Sequence, residues 1–178
     1  MNKITDHNDL QTLHAKLGIL EDYSKRNIPL QHEEKNLVAA DINEKGSEIL
    51  LEPNAAANWK KIKAEAANHN IKLILVSGFR SISYQAEIIQ GHLNKGKKID
   101  DVLKFLAAPG YSEHHTGRAL DITSPECYPL KLTEEFENTG AFKWLLQNAK
   151  NFNFTLSYPR DNPFGIIYEP WHWLYTGQ

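Results

Sequence analysis

A single cysteine, Cys127, rules out any disulfide within the chain and leaves the redox compartment open. Pro125 and Pro129 flank it in a loop, so a catalytic thiol is not expected there. No apolar run approaches the ~20 residues a membrane-spanning helix needs. An excess of either charge is also missing: 20 Lys and Arg against 22 Asp and Glu give a formal net charge of −2. Neither nucleic acid nor an anionic membrane is therefore favoured as a partner. The first residues, Met1 to Asp9, lack the apolar core of a secretory signal peptide, and a cytoplasmic location is expected. The periplasm or cell wall is the alternative if a leader has been removed or export takes another route. Repeats and low-complexity tracts are absent too. What is present, 178 residues with 41% hydrophobic and 24% charged, fits one globular domain with a sizeable core.

Residues 8 to 21 carry Leu10, Leu13, Leu17 and Leu20 at helical spacing, with Asn8 or Asp9 placed to cap. Short apolar patches at 37–40 and 49–51 interrupt a polar stretch and read as short strands or pinned loop. Asn54 is placed to cap an Ala-rich helix to about Asn68, burying Trp59, Ile62 and Ala66. Ile71 to Ser77 is β-branched and apolar, a core strand ended by Gly78. A helix is expected from Ser83 to about Asn94, with Ala86, Ile89 and Leu93 inward, followed by a short helical piece and the Pro109-Gly110 turn. Arg118 to Thr123 alternates like a half-buried strand. Residues 124–132 read as a loop, and 132–138 and 140–151 as helical, with Phe142, Leu145, Leu146 and Ala149 inward. Strands are expected at Phe154–Tyr158 and Gly165–Tyr168, joined by a Pro-rich turn. This order of elements predicts an α+β fold with a small antiparallel sheet flanked by helices.

The chemistry concentrates in two stretches, Ser112 to Asp121 and Glu169 to His172. His7, His14, His32, His69 and His92 lie in polar stretches that read as exposed. His114, His115 and His172 instead sit beside predicted strands and near carboxylates. A catalytic zinc commonly takes two His and one carboxylate, with a fourth position open, and His114, Asp121 and His172 would supply that set. Spacing alone does not choose between His114 and His115, since neighbours on an extended chain face opposite ways. A buried, hydrogen-bonded structural His and Asp is an equal reading. Glu169 and His172 are three apart, and a turn at Pro170-Trp171 would bring both to one place. A carboxylate that is not itself a ligand can take a proton from the attacking water; Glu169 fits. Arg80, just past the core strand, offers a permanent cation for a developing oxyanion. Gln85 could hydrogen-bond a substrate carboxylate.

Taken together, Ser77-Gly78-Phe79-Arg80-Ser81, the pattern Ser112-x-His114-x-x-Gly117-x-Ala119-x-Asp121 and Glu169-Pro170-Trp171-His172 resemble the VanY-type zinc peptidases. That family includes D-alanyl-D-alanine carboxypeptidases, L,D-carboxypeptidases, VanX-type dipeptidases and bifunctional VanXY enzymes. The resemblance covers roughly residues 37 to 177. It implies His114, Asp121 and His172 as ligands of one Zn²⁺ per chain, Glu169 as catalytic base and Arg80 as the group polarising the scissile carbonyl. His115 falls at a variable position. Gln85, Ser112 and Trp171 match positions near the substrate. The implied fold is the hedgehog/D-Ala-D-Ala peptidase-like α+β fold, with residues 37–178 as a zinc carboxypeptidase core and 1–36 as a helical segment packed on it.

The implied reaction removes the C-terminal D-alanine from a peptidoglycan stem peptide or its precursor, in a protein expected to be monomeric. L,D-carboxypeptidase, D,D-dipeptidase and L-alanyl-D-glutamate endopeptidase activities are the alternatives within the family. An Fe(II) oxygenase would more usually have its ligands in a closely spaced His-x-Asp, with many strands; His114 and Asp121 are seven positions apart, and few strands are expected. A zinc site kept only for structure or binding, as in the related hedgehog domain, would not need Glu169 and Arg80. Two positions depart from the pattern: Phe79, where the family often has Tyr, and Leu174-Tyr175-Thr176-Gly177, where it often has Arg-Tyr-Val-Gly.

Overall fold

A computed structural model describes residues 7–20, 23, 25–127 and 132–178. Its centre is a four-stranded antiparallel sheet in the order β3-β4-β6-β5, from β3 (Ile74–Ser77), β4 (Ala119–Thr123), β5 (Phe154–Leu156) and β6 (His172–Tyr175). A separate hairpin pairs β1 (Val38–Ile42) with β2 (Glu48–Leu51). Five α-helices are described: α1 (His7–Leu17), α2 (Pro53–Asn68), α3 (Ile82–Leu93), α4 (Ile99–Val102) and α5 (Gly140–Asn148). No helix among the described residues is long and apolar enough to cross a membrane.

Strand alternation divides the sheet into a packing face and a polar face. Leu120 and Ile122 of β4 and Trp173 and Tyr175 of β6 join Trp59, Ile62 and Ala66 of α2 and Ala141, Phe142 and Leu145 of α5 in one core. Asp121, between Leu120 and Ile122, and His172, just before Trp173, are register partners, so they stand side by side on the opposite face. A second apolar cluster covers the region of α3: Leu17, Ile19, Tyr23 and Ile28 pack with Ala86, Ile89, Val102, Tyr158 and Ile166.

Several local expectations are corrected. All five residues of β4 are buried rather than alternating, because β4 is an interior strand with structure on both faces. The second C-terminal strand is His172–Tyr175, not residues 165–168. Ile167 N instead donates to Lys104 O and Asn162 Nδ2 to Ile166 O, so that segment is held outside the ladder. Glu52, not Asn54, caps α2, its carboxylate accepting from Ala55 N ahead of Pro53 at the first helical position. Helix α1 starts at His7 and stops at Leu17. It therefore excludes Leu20, which is exposed, and its cap position lies outside the described residues. The strand at 71–77 is regular only from Ile74, Ser81 caps α3 through Tyr84 N, and Leu146 faces solvent. Residues 134–138 and 149–152 form 3-10 turns, and 128–131 of the expected loop lie outside the described residues.

Candidate active site

Three elements converge on the polar face of the sheet. The 3-10 turn Glu113–Thr116 delivers His114, β4 delivers Asp121, and β6 delivers His172. The backbone at His114 is thus helical, not extended, and it ends at Gly117 with φ +64°. A Cβ there would lie 2.9 Å from Glu52 N, the group that donates to Gly117 O. Glycine lets the turn dock against the start of α2. His115 points away: one ring nitrogen donates to Arg80 O at 2.7 Å and the other accepts from Gly110 N at 3.0 Å. His115 is a buried brace between loops.

His114 Nδ1 donates to Gly78 O at 2.6 Å, so Nε2 is the acceptor nitrogen and faces the site, 3.3 Å from Asp121 Oδ2. Gly78 makes this possible, since a Cβ would sit 2.6 Å from Leu50 O. His172 Nδ1 lies 3.1 Å from Asp121 Oδ1, and its Nε2 donates to Glu113 Oε2 at 2.9 Å. The donor atoms of His114, Asp121 and His172 all lie within 4.8 Å of one another. Ligand atoms about 2.0–2.1 Å from a tetrahedral zinc would be separated by about 3.3 Å, close to the two N···O distances present. Each histidine also has its far nitrogen held, as metal-binding histidines generally do. The three side chains fit a zinc ion.

Glu169 follows from a tight turn in which His172 N donates to Glu169 O at 3.1 Å and Trp173 Nε1 to Pro170 O at 3.0 Å. This turn places Glu169 Oε2 3.9 Å from His172 Nδ1 with the carboxylate buried. Arg80 reaches in from the end of β3. Its Nη2 donates to His114 Nε2 at 2.6 Å and to Asp121 Oδ2 at 2.7 Å, its Nε to Ser77 Oγ, and its Nη1 to Gln85 Oε1. Gln85, almost fully buried, also donates to Ala107 O at 2.8 Å. Its amide therefore holds Arg80 and the pocket wall as well as facing the cleft. Ser112 and Trp171 line the same cleft, of about 310 Å³, whose apolar walls include Leu106, Tyr158, Ile166 and Ile167.

Burial shapes the charges. It is the largest influence on His114, aided by the Arg80 cation, and lowers that imidazole to about 4, so it is neutral at pH 7. Burial acts the same way on His172, but hydrogen bonds to Asp121 and Glu113 outweigh it and raise its pKa to about 10. Burial raises Glu169 to about 8; Asp121 and Glu113 add to this, while His172 and Arg80 partly oppose it. Asp121 stays well below the usual carboxylate range, since His114, Arg80 and His172 together outweigh its burial.

Sequence reasoning assigned no role to Glu113 or Tyr158. Glu113 lies inside the central motif, but only the fold brings it to His172. Tyr158 lies two residues past β5, its ring 4.8 Å from that of His172. Of the histidines read as exposed, His14 and His92 are partly buried; the His7 side chain is outside what is described. His14 Nε2 donates to Pro109 O at 2.7 Å. A larger cavity, about 810 Å³, runs along the outer edge of β3; of the two acidic residues on its wall, Asp41 and Glu44, Asp41 is already paired with Lys63 at 2.5 Å.

A buried His-Asp-His set with an adjacent free carboxylate and a guanidinium, on the polar face of a small antiparallel sheet, defines a metallopeptidase-type centre. The family model for VanY, D-alanyl-D-alanine carboxypeptidase, matches residues 48–178. The chain belongs to this family and is a metallopeptidase. Its similarity to the bifunctional D-Ala-D-Ala dipeptidase and carboxypeptidase VanXYC of Enterococcus gallinarum is 31% identity over 164 residues, 85% of this chain and 80% of that one. Among solved structures it resembles the LdcB LD-carboxypeptidase, described for its peptidoglycan recognition, with TM-score 0.72 and 32% identity over 84% of this chain and 72% of that one. It also resembles a mutant VanY D,D-pentapeptidase from a VanB-type resistance cassette, solved with Zn(II), with TM-score 0.62 and 26% identity over 84% and 83% of the two chains.

Proposed function

We propose that this protein is a zinc-dependent D,D-carboxypeptidase that removes the C-terminal D-alanine from peptidoglycan stem peptides or their precursors. The observation that carries the reading is the meeting of His114, Asp121, His172, Glu169 and Arg80 at one small cleft. His114, Asp121 and His172 would hold the ion. Zinc in such a site supplies Lewis acidity and lowers the pKa of a coordinated water to about 7. Glu169, which ligates nothing in this arrangement, takes the proton from the attacking water and returns it to the leaving amine. A bound cation favours its carboxylate form, drawing its pKa down from about 8 toward a working range.

Arg80 donates to the carbonyl oxygen as it gains charge. Its hold on His114 Nε2 and Asp121 Oδ2 must loosen for a cation to bind, while Ser77 and Gln85 can keep the guanidinium at the rim. The apolar wall of Leu106, Ile166 and Ile167 suits a methyl side chain beside it.

A second reading, L,D-carboxypeptidase on tetrapeptide stems, is favoured by the likeness to LdcB. Zinc analysis together with hydrolysis of pentapeptide and tetrapeptide stems tests both. Bound zinc and D-alanine release from the pentapeptide are expected, with Glu169→Ala losing about 10²–10⁴-fold in turnover while retaining zinc. Release from the tetrapeptide alone would establish the L,D reading, and full activity in Glu169→Ala would remove that residue from the mechanism.

A further inference from the structure

His172 is held at both ring nitrogens and on both faces of its surroundings. Nδ1 lies toward Asp121 at 3.1 Å and Nε2 meets Glu113 Oε2 at 2.9 Å. The Tyr158 ring lies against it, and the His114 ring stands edge-on at 4.9 Å. Glu113 is the first residue of the turn whose second residue is His114. One turn therefore delivers a candidate ligand and, beside it, an anion to the far side of another. His114 is held by a neutral acceptor, Gly78 O, whereas His172 has a charged one. A carboxylate on the distal nitrogen fixes the tautomer and makes the proximal nitrogen a stronger donor.

Resting on the metallopeptidase reading above, we infer that Glu113 is a positioning residue for the cation site. Its carboxylate holds His172 Nε2–H, aims Nδ1 at the point shared with His114 and Asp121, and strengthens the binding of a divalent cation there. Glu113 touches neither the ion nor the substrate in this role. Its contribution is to the strength and order of the site.

The test is Zn(II) affinity, measured by chelator competition on the folded full chain for wild type, Glu113→Gln and Glu113→Ala. Glu113→Ala is expected to bind zinc about 10–100-fold more weakly. Glu113→Gln keeps an acceptor oxygen without the charge and should fall between. Ring ¹⁵N spectra of the zinc-loaded protein should show a single His172 tautomer in wild type and a mixture in Glu113→Ala. The zinc concentration for half-maximal D-alanine release should rise in step with the loss of affinity, leaving KM unchanged at saturating zinc.

A merely structural Glu113 would lower the melting temperature and leave zinc affinity at the wild-type value, and that outcome overturns the inference. Should Glu113→Ala fail to fold, Glu113→Gln decides by the same readout. A wild type that binds no zinc overturns the metal site itself. Wild-type binding with unaltered variants overturns the role of Glu113 alone.

Discussion

His114 and His172 are neighbours with opposite charge preferences, one lowered to about 4 and the other raised to about 10. Both rings are buried, and carboxylate contacts account for the difference: His172 donates hydrogen bonds to two carboxylates, whereas His114 shares Asp121 with the Arg80 cation. Glu169 completes the imbalance. Its pKa, raised to about 8 by burial above all, exceeds the unfolded value of 4.5. Between those values the folded metal-free protein holds more protons than the unfolded chain, so Glu169 makes stability fall as pH rises from 4.5 to 8. Glu169→Gln removes that loss. In chelator, the variant should be more stable than wild type by about 1–4 kcal/mol at pH 8 and little different at pH 4, as read by denaturant unfolding at the two pH values. The residues that meet at the candidate site were legible in the sequence because His, Asp and Glu crowd into two short motifs. The choice between His114 and His115 was not, since it depends on which carbonyl each ring meets. Glu113 escaped notice because its partner lies 59 positions away.

At the scale of elements, the site depends on turns more than on strands. The turn carrying His114 is anchored where Glu52, the cap of α2, donates its N–H to Gly117 O at 2.8 Å. Gly117→Ala would place a methyl group 2.9 Å from that nitrogen at a positive φ. It is expected to cost about 1–3 kcal/mol in chemical denaturation and to weaken zinc binding by shifting His114. Described residues between α1 and position 36 brace the loop that leads into the turn carrying His114. Tyr23 Oη accepts from Ala108 N, Gln31 N donates to Gly110 O, and Glu34 N donates to His115 O. Such contacts explain which elements the sequence revealed. Helices α2 and α3 declared themselves through apolar spacing that their burial follows. The last strand was misplaced because Gly165–Tyr168 has strand-like composition, yet its backbone partners are Lys104 and the Asn162 side chain. Strand pairing is decided by distant chain, and no local pattern encodes it.

Across the whole molecule, the site joins parts of the chain that are otherwise separate. His172 lies more than fifty positions from His114 and Asp121, so an ion held by all three would cross-link β6 to β4 and to the preceding turn. Chelation should therefore lower the melting temperature by several degrees, and zinc at a hundredfold excess over its Kd should restore about 2.7 kcal/mol. Scanning calorimetry with and without chelator checks this, and a melting temperature indifferent to zinc would argue against that cross-link. The sheet order β3-β4-β6-β5 adds a consequence for synthesis. Of the described strands, the one made last is interior, slotted between two made earlier, and it brings His172 with it. A chain still on the ribosome with residue 172 inside the exit tunnel, or one cut short before it, has neither a continuous four-stranded sheet nor the third member of the candidate metal set. Assembly of the His114, Asp121 and His172 cluster thus waits on β6, and abortive products that stop before residue 172 would be born without it.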